Sequence, residues 1–163
     1  MTLDPPKTVD YVDPERYIGR WYEQSSIPAF FSKGCTDTQA FYGLIDDKTI
    51  SVANTCTKDG KKTETDAKAY IQDSSNSKLK VEFFPIFGIG DYWIVKLGDT
   101  EDYGFSVVST PDYKLLWILS REEKMDEETY DNIINWLKTQ GGFQVDKLIR
   151  TPRWSWLKFT FNF

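Results

Sequence analysis

The sequence predicts an all-β fold, an antiparallel barrel or sandwich of eight strands, with one packing helix and a short ninth strand. Three observations predict it. Aromatic residues make up 16% of the chain, with 6 Trp, 9 Tyr and 11 Phe, and such residues favour strands and bring large apolar area to an interior. From residue 20 to residue 121, short extended runs alternate with turn chemistry. After them comes one clear stretch with helical periodicity. At 163 residues the chain is expected to be one domain, 1–163, large enough for a continuous apolar core.

Taken in order, residues 1–12 read as a loose extended lead-in, where Pro5-Pro6 opposes a helix. Asp13-Pro14-Glu15-Arg16-Tyr17 forms a short helical turn, with Asp as N-cap and Pro at the first helical position; Gly19 breaks it. Candidate strands follow at 20–27, 37–45, 49–57, 62–72, 78–84, 91–97, 103–109 and 114–121. Asp46-Asp47, Lys58-Asp59-Gly60, residues 74–77, residues 85–90, Gly98-Asp99 and Pro111-Asp112 separate them. Alternation is clearest in Leu79-Lys80-Val81-Glu82-Phe83. In the last strand Leu115, Trp117 and Leu119 share one face, but Leu116 and Ile118 make the other face apolar too, so something must cover it. The cover is the helix at 127–140. Asp126 caps it, Glu127 and Glu128 sit at its positive end, and Met125 can staple against Tyr130. Tyr130, Ile133, Ile134 and Leu137 form its apolar stripe, and Gly141-Gly142 can end it. A ninth extended piece spans about 144–151.

Composition excludes several functions. With no histidine in the chain there is no Ser-His or Cys-His pair and no His-ligated zinc or haem. Two cysteines cannot make an all-Cys metal site, and no cofactor is expected. A net charge of −5 counts against nucleic acid. Asp46-Asp47, the Asp99/Glu101/Asp102 group and Glu122-Glu123 fall in turns and read as solvated charge. No stretch reaches the ~20 apolar residues of a membrane helix, and the N-terminus lacks an apolar signal-peptide core.

Three motifs make the chain resemble the lipocalins. Gly19-Arg20-Trp21-Tyr22-Glu23 matches the Gly-x-Trp signature after a helical turn. Thr110-Pro111-Asp112-Tyr113 is similar to the family's Thr-Asp-Tyr-type loop, apart from the inserted proline, and falls just before the last barrel strand. Arg121 ends Leu115-Leu116-Trp117-Ile118-Leu119-Ser120. Within the family, Ile27-Pro28 and the Gly-Gly-Phe-x-Val-Asp after the helix resemble bacterial outer-membrane lipocalins and apolipoprotein D. The resemblance implies an eight-stranded up-and-down barrel whose base is closed by Trp21 and Arg121, stacked as a cation–π pair. It also implies binding and carriage of a fatty acid, lysophospholipid or sterol-like ligand, without catalysis, in a secreted, periplasmic or outer-membrane-associated protein. The alternative is a lipid-modifying isomerase or de-epoxidase on the same scaffold.

Strand parity and the resemblance together name an interior. Putting Trp21 inward puts Glu23, Ser25 and Ile27 on the same face, and Lys96 outward sends Trp93, with Val95 and Leu97, inward. The resemblance places Tyr42, Asn54 and Trp117 in the pocket and Lys58 at its mouth; Phe83 completes the candidate lining. Trp93, Trp117 and Phe83 either line a cavity or simply fill the barrel. In a family of this kind Cys35 and Cys56 are expected to form a disulfide tying the loop after the first strand to the third; the rival reading is a free nucleophilic thiol. Phe30, Phe31 and residues 83–90 form apolar loops that could touch a membrane, a second subunit in a homodimer, or the protein's own core. In the 152–163 tail, Trp154, Trp156, Phe159, Phe161 and Phe163 suit an interface anchor, a wrap around the barrel or a partner's edge.

Overall fold

A computed structural model describes residues 3–28, 34–83 and 88–153. A helical turn, α1 (Pro14–Tyr17), leads into eight strands: β1 (Gly19–Ile27), β2 (Thr36–Leu44), β3 (Thr49–Lys58), β4 (Lys61–Ile71), β5 (Lys78–Phe83), β6 (Gly88–Leu97), β7 (Phe105–Ser109) and β8 (Leu116–Ser120). Each pairs antiparallel with the next, and β1 pairs with both β8 and β2, so the sheet closes into an up-and-down barrel. Closure removes the unpaired edges an open sheet would leave.

Of three register shifts among the described residues, in β1, β2 and β6, those in β1 and β6 overturn the expected alternation. In β1, Glu23 pairs with Leu119 and Ser25 with Ile118, leaving Gln24 as the extra residue. Gln24 turns outward, donating from Nε2 to the carbonyls of Glu122 and Glu123 and accepting at Oε1 from the Met125 amide. Beyond the bulge the alternation is inverted. Trp21 and Glu23 face the interior as expected, but Ser25 bonds Tyr130 on the outer side and Ile27 joins the outer cluster. In β6, Ile94 pairs with Val108 and Lys96 with Val107, so Val95 is the extra residue. Lys96 does face outward, with its ammonium 4.6 Å from the centroid of the Trp136 ring. The bulge cancels the parity step from Lys96 to Trp93, however, and Trp93 is outside, its ring under the Lys78 ammonium at 4.5 Å. Tyr92 takes the inward position instead. Val95 belongs to the outer cluster, while Leu97 packs on the inner one.

The outer apolar face of β1 and β6–β8 is covered by α2 (Glu127–Gln140). Tyr130, Ile133 and Leu137 pack there with Ile27, Val95, Val107, Leu116 and Ile118. The Asp126 carboxylate accepts from the Thr129 amide as the N-cap, and Gly141 ends the helix at a φ of 70°. The ninth strand is shorter than expected: a 3₁₀ turn at Val145–Lys147 precedes β9 (Ile149–Arg150), which pairs with Ser25 and Ser26 of β1.

The lead-in is extended but not loose. The Val9 amide donates to the Ile94 carbonyl and the Val12 amide to that of Ser75, and Val12 is buried in the inner cluster. Strand β7 starts two residues later than expected because Tyr103 and Gly104 adopt positive φ in a turn from Thr100. Phe30, Phe31, the apolar stretch over 84–87 and the tail aromatics from Trp154 onward lie outside the described residues.

Candidate functional site

The base of the barrel is closed around Arg121. Its guanidinium lies 3.8 Å from the centroid of the Trp21 ring. Nε donates to the Asp102 carbonyl, Nη1 to that of Arg20, and Nη2 to those of Arg16, Tyr17 and Ile18. Trp21 is fully buried, with its indole N–H donating to the Tyr17 carbonyl. Gly19 has a φ of +105°, and a Cβ there would come within 3.1 Å of Arg121 Nη1. A residue without a Cβ suits both the conformation and the approach.

Above this plug lies a cavity of about 300 Å³. Its floor is a row of hydroxyls: Ser106 Oγ lies 2.9 Å from Tyr17 Oη, Tyr17 Oη 2.5 Å from Tyr92 Oη, and Tyr92 Oη 3.0 Å from Tyr42 Oη. Burial pushes the Tyr17 phenol up to about 12 and raises Tyr42 and Tyr92 as well, so all three are neutral at physiological pH. The wall above is apolar, with Ala40, Ile50, Val52, Ala69, Leu79 and Val81.

Nearer the mouth the lining divides. Thr38, Asn54, Thr63 and Thr65 project from β2–β4, while Phe83, Leu115 and Trp117 face them. Lys58 stands at the end of β3 and forms no ion pair among the described residues. Cys35 and Cys56 are joined in a disulfide with their Cα atoms 5.5 Å apart, and both line the cavity. The bond consumes both thiols, which removes the free nucleophile that the rival reading required.

Two acidic residues line the cavity among those described, Asp91, which is paired with Lys80, and Glu23. Glu23 Oε2 accepts from Thr151 Oγ1 at 2.7 Å, and Arg153 donates to the Glu23 carbonyl at 2.7 Å. Burial raises the Glu23 carboxyl above its ordinary value, opposed by the Thr151 bond and the Arg153 charge. This arrangement arises at the seam of the barrel. β1 pairs with β2 only through Gly19–Tyr22. Above that point the Thr151 amide bonds the Gln24 carbonyl and the Asp37 amide bonds that of Pro152, so the segment after β9 fills the gap between β1 and β2.

Of the expected lining residues, Tyr42, Asn54, Lys58, Phe83 and Trp117 are brought together around the cavity, and Trp93 is not. Tyr17, Tyr92, Ser106, Thr151 and Arg153 were not anticipated. Tyr92 was legible only with the β6 bulge in hand, and the seam residues lie more than 120 positions from Glu23, so no local pattern announces them.

The sequence profile of the lipocalin-like domain matches residues 12–153. Temperature-induced lipocalin-1 of Arabidopsis thaliana is 38% identical over 156 residues, covering 90% of this chain and 82% of the relative. Outer membrane lipoprotein Blc of Citrobacter freundii is 36% identical over 151 residues, covering 89% and 83%. Apolipoprotein D of Mus musculus is 33% identical over 158 residues, covering 91% and 80%. Barrel, plug, packing helix and relatives agree, and the chain belongs to the lipocalin-like family.

Proposed function

We propose that the protein binds and carries a small hydrophobic or amphiphilic ligand in the barrel cavity, and that it is a carrier, not an enzyme. A fatty acid, lysophospholipid or sterol-like molecule fits the reading, and membrane lipid maintenance is the setting it suggests. The observation that carries it is the cavity itself, closed at the base by the Trp21–Arg121 stack, apolar in its middle, and ending at the Lys58 cation. Apolar walls with a few placed polar groups are what an amphiphile requires. Tyr42, Asn54, Phe83 and Trp117 would contact the ligand, and Lys58 would pair with a carboxylate or phosphate at the mouth. A disulfide and an outer membrane lipoprotein among the relatives support a secreted, periplasmic or membrane-surface location.

Titration with a fluorescent fatty acid, followed by tryptophan quenching, tests this. Saturable quenching is expected, retained in Trp93→Phe and largely lost in Trp117→Phe. Failure of the purified protein to take up any amphiphile in native mass spectrometry would sink the carrier reading.

A further inference from the structure

The floor of the cavity carries a proton count that an entirely apolar ligand tail does not meet. Ser106, Tyr17, Tyr92 and Tyr42 form an unbranched row with three hydrogen bonds between them. Four hydroxyls bring four protons, and three bonds use three of them. The remaining proton belongs to whichever hydroxyl donates to no other member of the row. At one end, Ser106 is fully buried, does not line the cavity, and has only Tyr17 as a side-chain partner among the described residues. An O–H pointing nowhere in a buried site costs free energy. At the other end, Tyr42 lines the cavity. The spare proton therefore belongs to one of the three phenols, all of which line the cavity, and Tyr42, with Tyr92 as its one side-chain partner among the described residues, is the end of the row left open to a ligand.

We propose that the Tyr42 end of this row makes a polar subsite at the deep end of the cavity, selective for an oxygen-bearing chain terminus such as an ω-hydroxyl. The inference rests on the carrier reading and specifies the ligand's far end. A terminal hydroxyl is both donor and acceptor, so it can take a proton from Tyr42 or give its own to it. Glu23 lines the same cavity, so a carboxyl acceptor is in the same region. The mouth and the subsite are also far enough apart for a long chain. Val52 is paired with Tyr42, and Lys58 lies six residues further along β3, about 20 Å of strand. A chain with an anionic head at Lys58 and an oxygen at its other end would satisfy both.

The test compares the affinities of hexadecanoic acid and ω-hydroxyhexadecanoic acid, by calorimetry on the full chain. In a deep site with no partner the added hydroxyl weakens binding by about tenfold or more, because its hydration is lost without replacement. The expected result is that the wild type binds the hydroxy acid at least as tightly as the plain acid, and that Tyr42→Phe reverses the preference by about tenfold. A wild type that disfavours the hydroxy acid tenfold overturns the proposal and leaves the carrier reading intact, as does an unchanged preference in Tyr42→Phe. If that variant does not fold, the wild-type ratio alone decides. If neither acid binds, the carrier reading falls and takes this one with it.

Discussion

Glu23 illustrates how a single side chain couples the cavity to the rest of the molecule. Its backbone belongs to β1, its carboxyl accepts from Thr151, and its carbonyl accepts from Arg153. Burial raises its pKa, so the folded state favours the protonated carboxyl relative to the unfolded chain. The sign follows from linkage: the contribution is full below the unfolded value and is lost as pH rises through the raised folded value. Glu23→Gln keeps an oxygen for Thr151 and removes the titration. The variant is therefore expected to gain stability relative to the wild type as pH rises from 4 towards neutrality, by a few degrees in Tm. Thermal melts across that range check this, and a constant difference would show that the carboxyl is not linked to folding. Trp93 and Trp117 make a second residue-scale point. β8 pairs with β7 without interruption, so Trp117 keeps the face that alternation gives it, with Leu115 and Leu119 on the cavity side. Parity misplaced Trp93 because Val95 is an extra residue.

Among the elements, α2 was the most legible. Its cap, stripe and terminal glycines follow local rules, and the apolar second face of β8 required a cover. What the helix does is dry the outer side of the strands whose inner side forms the cavity. Ile133, 1% exposed, sits at the centre of that contact. Ile133→Ala is expected to cost about 2–5 kcal/mol, the range for emptying a buried aliphatic site, read as a lower urea midpoint with unchanged slope. Ligand affinity should change little, because the residue lies on the far side of the sheet. β9 was less legible. Only Ile149 and Arg150 pair as strand, and the rest of the expected stretch serves as a 3₁₀ turn and as the seam filling.

At the scale of the whole molecule, Arg121 gathers the chain. One guanidinium binds five carbonyls, from Arg16, Tyr17, Ile18, Arg20 and Asp102, while stacking on Trp21. Arg121→Ala leaves those carbonyls without a shared donor and exposes the ring, and is expected to cost about 2–4 kcal/mol. Arg121→Lys restores the charge but not the planar fork, so most of the loss should persist. Chemical denaturation of both variants checks this, and a lysine variant as stable as the wild type would reduce the plug to simple electrostatics. The disulfide acts at the opposite end, tying Gly34–Cys35 to β3 over a separation of 21 residues. In the chain-entropy account such a link is worth about 3 kcal/mol.

The sequence by itself determined the strand and turn order, the helix and its cap, and the Gly19, Trp21 and Arg121 positions that close the barrel. These are local signals, repeating every two or every 3.6 residues or concentrated in short motifs. Tertiary structure alone decided which side of each strand faces the cavity beyond a bulge, which hydroxyls line up at its floor, and what fills the gap between β1 and β2. The physical reason is shared by all three. A bulge inverts every later position in its strand, and the bulges at Gln24 and Val95 are defined by partners on other strands. The hydroxyl row likewise joins residues up to 89 positions apart, and no local pattern in the chain encodes distances of that kind.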